Sequence, residues 1–395
     1  MSMQVGVRRV IRRVILCVAA AFVACVTGAV VQGQAAPAQA AGGQAPQMAE
    51  QVFKDIQVLK GITVDEFMDT MGMFAAATTK DCTGCHAPEV LSSSRDAFAI
   101  STPMIQRARQ MTVMMNTINR NFFGNQKRVT CYTCHSADNF PQRVPNLSIQ
   151  YGEPPPENPD RLEFFVQKER AGEVDGVFAK YLKAVGGAEA WGGVKSFTMA
   201  GTYAGWDTSH VEVPVDFYAQ APNRFTTVVH RKEGNNIFVF NGTNAWFAGV
   251  DAAAPNFTMN YTAGNLTGAR IDALVQVAPQ MIQKAYQTWE VSEDAIGDDI
   301  VTVLRGTNKG ETPVHLSFNE EGLLVRLVRW NDTAVGPVPT QFDFSDYRQV
   351  GGVRKPHNWV RAWTNNRVVY RLKDVRLNAP VEASRFERPV PVSLQ

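Results

Sequence analysis

Charge of one sign is in short supply in this sequence. Its 39 Lys and Arg against 37 Asp and Glu leave a formal net charge of +2 over 395 residues. There is also no basic stripe long enough to track a phosphate backbone, so nucleic acid is excluded as a partner. Cysteine is equally scarce. Of six cysteines, Cys17 and Cys25 fall in the N-terminal segment, and the other four belong to two C-x-x-C-H motifs. None is left for an ordinary disulfide framework. No internal period suggests a repeat array, and the long uncharged apolar run is confined to Val14 to Val31. Apolar residues themselves are plentiful: 45% hydrophobic against 19% charged allows sizeable cores in two or three domains and excludes overall disorder.

The first forty residues differ from the rest. Arg8, Arg9, Arg12 and Arg13 make a cationic start, the apolar run follows, and Gln32 to Ala49 is rich in Ala, Gln, Gly and Pro, with an A-x-A-like stretch at Ala38 to Ala40. This is the pattern of a secretory signal. At 18 residues the run also reaches the lower limit for spanning a bilayer, so an uncleaved N-terminal anchor is the alternative. Either way the expected location is the periplasm or cell envelope. Residues 1–40 are read as signal or anchor and 41–50 as an Ala/Gln/Pro linker.

From 51 to 150 the chain reads as helices joined by loops. Thr63-Val64-Asp65-Glu66 has the form of a capping box, which predicts a helix start, and Phe67, Met68, Met71, Phe74 and Ala75 repeat at helical spacing. A second helix is expected to open at Thr102-Pro103 and stop near Gly124, with Ile105, Ala108, Met111, Met115, Ile118 and Phe122 as its apolar stripe. Four prolines in six residues, within Pro154 to Pro159, then exclude helix and central strand. The Pro-rich linker is placed at 151–173.

Beyond it, Val174 to Ala190 is predicted helical. Ten β-type runs follow from Phe197 to Leu372, with Asn241-Gly242 and Glu321-Gly322 as hairpin turns and Ile271 to Trp289 as a helical insertion. The expected fold class is multidomain: an all-α domain at 51–150, then an α+β domain at 174–395 dominated by a curved antiparallel sheet.

The chemistry sits in Cys82-Thr83-Gly84-Cys85-His86 and Cys131-Tyr132-Thr133-Cys134-His135. In such a motif two cysteines three apart add to the two vinyl groups of a haem, and the next histidine reaches the iron. With this composition one motif arises by chance at roughly 0.001 per chain, so two are a signal rather than an accident. A zinc ribbon is the competing reading, but its thiolate pairs are not normally 45 residues apart, nor each followed by histidine. The implied cofactors are therefore two covalently attached c-type haems, bound through Cys82, Cys85, Cys131 and Cys134, with His86 and His135 on the irons. The sixth ligand decides between carrier and catalyst, because a Met thioether raises the potential and closes the iron to small ligands.

The stretch from Val52 to Gln150 resembles the cytochrome c subunit of photosynthetic reaction centres and its non-photosynthetic relatives. In that family a helix supplies Met, the chain turns and C-x-x-C-H follows. The resemblance rests on Met71-x-x-Phe74-x-x-Ala77 eleven residues ahead of Cys82, on Ala108-Arg109-Gln110-Met111, on Asn116-Thr117-Ile118-Asn119, and on Val129-Thr130 before Cys131. It implies Met71 and Met111 as distal ligands, with Met114 and Met115 competing for the second position. Thr78-Thr79-Lys80-Asp81 departs from the family's Leu-Gly-Val before the first cysteine pair. The family's photosynthetic subunit carries four haems where this chain has two motifs.

Residues 174–395 carry no readable catalytic constellation, and His210, His230, His315 and His357 are read as strand or turn residues. This half is similar to envelope lipoprotein-carrier proteins through short motifs such as 184–190, 221–224, 240–246, 322–326 and Asp346-Tyr347-Arg348. That implies a curved sheet over helices and contact with lipid or lipoprotein. The leading functional expectation is a non-enzymatic electron carrier with redox donor and acceptor proteins of the cell envelope. The alternatives are a peroxidase-like haem enzyme with one open iron, and a lipid- or lipoprotein-binding module with an accessory haem domain.

Overall fold

The structure is a computed structural model that describes residues 46–91, 95–141, 173–249, 258–297 and 299–390. The expected signal or anchor and nearly all of the proline-rich linker lie outside these residues. Among the described residues no helix is long and apolar enough to cross a membrane.

The first part is helical, as expected: α1 Ala49–Val52, α2 Val64–Thr78, α3 Pro103–Phe122 and α4 Cys131–His135, with 3-10 turns between α2 and α3. Local chemistry sets the ends. Thr63 accepts from the Glu66 amide to start α2, and Thr79 stops it in the left-handed region. Glu66 does not close the capping box; it is half-buried, and burial pushes its carboxyl up to about 7. Thr102 caps α3 through the Ile105 amide, with Pro103 at the first turn, where it has no hydrogen bond to lose.

The second part begins with α5 Glu173–Ala184 and α6 Ala188–Gly192. The sequence reads these as one helix, but Gly186 and Gly187 take positive φ and split it. A 13-stranded sheet follows, in the order β6-β5-β4-β3-β2-β1-β13-β12-β11-β10-β9-β8-β7. Its strands are β1 Ser196–Gly205, β2 Val213–Gln220, β3 Arg224–Arg231, β4 Gly234–Phe240, β5 Ala245–Ala248, β6 Met259–Asn260, β7 Thr288–Ile296, β8 Asp299–Thr307, β9 Val314–Phe318, β10 Leu324–Thr333, β11 Gly336–Val350, β12 Val353–Trp363 and β13 Asn366–Leu377. Every pairing is antiparallel, and the chain meanders outward from β1 to β6, crosses by α7 Ala263–Val277 to the far edge, and returns to close β13 on β1. The expected helical insertion is α7, displaced toward the N-terminus. Trp289, read as its last residue, is already in β7, and Trp289 packs against Phe178 and Tyr286 at ring distances of 5.0 and 5.2 Å.

The sheet's main core gathers Phe197, Phe217, Phe318, Leu327, Trp359 and their neighbours, with α5 and α7 packed on it. Within this core lies Lys355, 1% exposed, whose Nζ donates to the Gln276 carbonyl and to its Oε1. Burial pulls its ammonium down to about 7, and the Phe197 ring 4.4 Å from Nζ offsets part of that cost. A base whose folded pKa is depressed destabilises the fold while the unfolded chain still holds the proton. Stability from this residue should therefore rise as pH increases from about 7 toward the ordinary value of 10.5. Denaturant titrations at several pH values should show a gain of up to about 5 kcal/mol across that window. Lys355→Met should flatten it.

The two parts touch directly. Asp65 on α2, 1% exposed, accepts from the amide and hydroxyl of Thr262 at the start of α7. Asp69, one turn on, accepts from Asn265 and from Asn331 of β10 at 2.8 and 2.7 Å. The β10–β11 hairpin adds an apolar contact: Val335 and Val338 are buried with Met73 of α2 and Met115 of α3. Helix α2 is thus fixed to the sheet through polar groups at its start and apolar ones further along.

Candidate haem-binding site

Each C-x-x-C-H motif is shaped by a short local cap. Asp81 accepts from the Gly84 amide and the Thr83 hydroxyl, at 2.9 and 2.8 Å, which winds Cys82–Gly84 into a 3-10 turn. Those same bonds hold the Asp81 carboxyl below its usual range. At the second motif Thr130 and Thr133 cap each other reciprocally, hydroxyl to amide at 3.2 and 3.0 Å, and Cys131–His135 is a turn of α-helix.

The histidines are oriented alike. His86 places Nδ1 3.0 Å from the Phe98 carbonyl, and His135 places Nδ1 3.1 Å from the Asp138 carbonyl. A carbonyl can only accept, so each Nδ1 carries the proton and each Nε2 keeps its lone pair for a metal. This is the orientation a haem-ligating imidazole requires. Burial lowers the pKa of His86, which favours the neutral ring that a ligand must be.

Helix α3 joins the two motifs. At its start the Thr102 hydroxyl donates to the Cys85 carbonyl at 2.6 Å. Near its end Asn119, 4% exposed, donates to the Val129 carbonyl and accepts from the Val129 amide, at 2.7 and 2.9 Å. The seventeen residues between these anchors correspond to a rise of roughly 26 Å. The second motif is braced from below as well, since Thr130 meets the hairpin at Gly336 and α2 packs on α4.

None of the four cysteines forms a disulfide, and among the described residues no group of three or more His, Cys, Asp or Glu converges to hold a metal ion. Burial pushes the Cys131 thiol up to about 11. A zinc ribbon, which needs four convergent thiolates, is not assembled here. What surrounds the motifs is apolar surface. Leu91, Ile100, Met104, Met111, Phe122 and Phe140 are all exposed, together with other large apolar residues of the same stretch. Such a concentration over so short a segment marks a surface that packs against something apolar, and a porphyrin bound through the adjacent cysteines fits it.

The methionines fall into two groups. Met68 lines a cavity of the sheet, while Met73 and Met115 are 5% exposed and packed against the hairpin. Met71 is half-buried on α2, and Met111 and Met114 are 37% and 46% exposed on α3. An open groove of about 410 Å³ runs past Ala75, Ala76 and Lys80 and is walled by Trp206 and the β12–β13 turn.

Of the basic residues around the second motif, Arg109 is taken by Asp55 at 2.9 Å and Lys127 by Asp332 at 3.0 Å. Arg143 lies outside the described residues. The sheet histidines are structural: His230 pairs with Asp216, His315 packs edge-on to Trp330, His357 bonds the Lys355 carbonyl and His210 stands against Trp206. Sequence reasoning did not find the carbonyls of Phe98 and Asp138, since a backbone acceptor leaves no residue signature. Asn119 was visible only as part of a family-like string, and its clamp on Val129 emerges from the fold.

The helical segment is thus cytochrome c-like in its motifs and in the way it holds them. Residues 2–160 match the family of the photosynthetic reaction centre cytochrome C subunit, as the two motifs and their flanking residues led us to expect. The photosynthetic reaction center cytochrome c subunit of Rubrivivax gelatinosus is 31% identical over 98 residues, which is 24% of this chain and 25% of that protein. The match therefore spans about a quarter of the relative's length. Among solved structures, a DUF1329 family protein from Desulfovibrio piger aligns over 54% of this chain and 97% of its own, at 8% identity and a TM-score of 0.37. A LolA superfamily protein from Nitrosomonas europaea aligns over 54% and 96%, at 11% identity and a TM-score of 0.36.

Proposed function

We propose that this chain is an exported dihaem c-type cytochrome that passes single electrons between donor and acceptor proteins of the cell envelope. The observation that carries the reading is the repeated imidazole geometry: both motif histidines have Nδ1 on a backbone carbonyl, with no hydrogen bond at Nε2 among the described residues. Haem bound at the two motifs supplies the one-electron couple. The chain supplies the rest. Cys82, Cys85, Cys131 and Cys134 hold the porphyrins through thioethers, and His86 and His135 give the proximal nitrogens. Met71 and Met111 give the distal sulfurs, which leaves no exchangeable position for a substrate. Helix α3, tied to both motifs, keeps their separation fixed.

The division at 151–173 and the secretory pattern of residues 1–40 complete the proposal. The helical part is the redox domain, 174–395 is a β-rich domain on which α2 is docked and which contacts partners or lipid, and the N-terminus directs the whole to the periplasm or anchors it in the envelope. The family match over residues 2–160 supports the cytochrome assignment.

The test is an intact-mass measurement joined to visible and near-infrared spectra of the purified protein. Two haems per chain that survive acid–acetone extraction, low-spin ferric irons and a sulfur-to-iron charge-transfer band are expected. A colourless protein refutes haem attachment. A high-spin iron refutes the carrier and favours a haem enzyme.

A further inference from the structure

The inner face of the sheet encloses a cavity of about 230 Å³ that neither motif uses, roofed by Asp65, Met68 and Asp69 of α2. Its wall is mainly aromatic. Phe217 and Trp359 lie 5.1 Å apart between ring centres, Trp359 and Tyr370 5.5 Å, and Tyr203 and Tyr370 5.3 Å, with Phe225 and Phe342 continuing the surface.

The charges in this wall are unevenly matched. Four carboxylates line it, and each has partners. Asp65 is bonded to Thr262, Asp69 to Asn265 and Asn331, and Asp207 to Tyr203 and Asn366, with Arg231 3.6 Å away; Asp272 is held by both ends of the Arg329 guanidinium, at 3.0 and 2.8 Å. Two cations line it, Arg329 and Arg361. Arg329 is spent on Asp272. Arg361 makes no ion pair among the described residues, although the Asp272 carboxylate and the Tyr370 hydroxyl act on it, and its buried Nε has no hydrogen-bond partner. Its neighbours are the Tyr370 hydroxyl and two rings, Trp363 at 4.5 Å and Phe342 at 5.6 Å from the guanidinium carbon.

A guanidinium flanked by two rings, with a buried Nε–H that nothing accepts, has an edge suited to a carboxylate in a two-point contact. An unpaired charge in such a setting is costly unless something meets it. We infer that the cavity binds a small aromatic carboxylate, its ring or fused pair of rings against Phe217, Trp359 and Trp363 and its anionic end on Arg361. The size agrees with one such molecule: a dry cavity of roughly 150 Å³ takes a single benzene ring. The roof is the helix that bears Met71, so an occupant would lie directly beneath that helix.

Isothermal titration of the full haem-loaded chain tests this, with 2-naphthoate as probe, 2-naphthalenemethanol as the neutral counterpart and decanoate as the aliphatic acid. 2-Naphthoate should bind with Kd on the order of 100 µM or tighter. The alcohol should bind roughly 10-fold or more weakly, as expected for loss of a charge-assisted contact. Decanoate should also be weaker. Arg361→Gln should reduce naphthoate to the affinity of the alcohol with circular dichroism and haem spectrum unchanged, and Arg361→Lys should retain part of the difference. No heat with naphthoate at millimolar concentration overturns the inference, as does equal binding of acid and alcohol, or undiminished binding by Arg361→Gln. Decanoate binding as tightly as naphthoate overturns the aromatic class. If Arg361→Gln does not fold, the comparison of probes on the unaltered chain decides. None of these outcomes bears on whether haem is attached.

Discussion

Met71→Ala is expected to remove the sulfur-to-iron charge-transfer band of one haem and to lower that haem's potential by on the order of 100 mV or more. The other haem should keep its spectrum, because α2 reaches the second motif through Met73, not Met71. The physical basis is simple: a thioether stabilises the reduced iron, and removing it admits water or leaves the position open. Met73→Leu is the matched control. Met73 is 5% exposed and packed between Met115 and the hairpin, so an apolar replacement of similar volume should leave both spectra intact and cost under about 1.5 kcal/mol. If Met71→Ala behaves like Met73→Leu in a redox titration, Met71 is not a ligand.

The second large effect is expected from Val335→Asp. Val335 is 1% exposed at the tip of the β10–β11 hairpin, among Met73, Met115 and Val338. A carboxylate there has no partner in that cluster, so its burial should cost roughly 3 kcal/mol or more. The loss should be local, because the sheet's main core is a separate cluster. Hydrogen exchange should accelerate across α3 and α4 while the amides of β1, β12 and β13 stay protected. Ile300→Asp, at a position 66% exposed, should change neither. Equal acceleration throughout the chain would mean that helices and sheet unfold as one, and the hairpin would not be the local brace described above.

What the sequence disclosed follows from the range of the forces involved. The family resemblance was legible because the chemistry its two C-x-x-C-H motifs imply needs particular atoms at fixed spacing. Helix α3 was legible from end to end, since Thr102-Pro103 and Gly124 act within one turn of themselves. Strand β7 was hidden because the helical reading ran on through the 3-10 turns to Trp289, its second residue, and β5 and β6 are too short to show alternation. The single helix expected up to Ala190 failed at a glycine pair whose positive φ values no periodicity announces. Nor does spacing sort the methionines: Met111 and Met115 lie four apart on one stripe, and only the arrival of a hairpin more than two hundred residues away buries one and leaves the other out. The Thr63 box was half right, because Asp65 and Asp69, rather than Glu66, carry the polar contacts of α2, with partners 196 to 262 residues away.

Those separations have a consequence for biogenesis. The sheet closes by joining its first strand to its last, and the helix bearing Met71 docks onto groups that leave the ribosome long after it does. Ordering such distant contacts is slow, and chains of this size assemble in stages. Both cysteine pairs are therefore synthesised well before their final support exists. If haem is attached as proposed, the attachment step can meet them as short, accessible peptides, and the finished sheet would lock in what had already been joined.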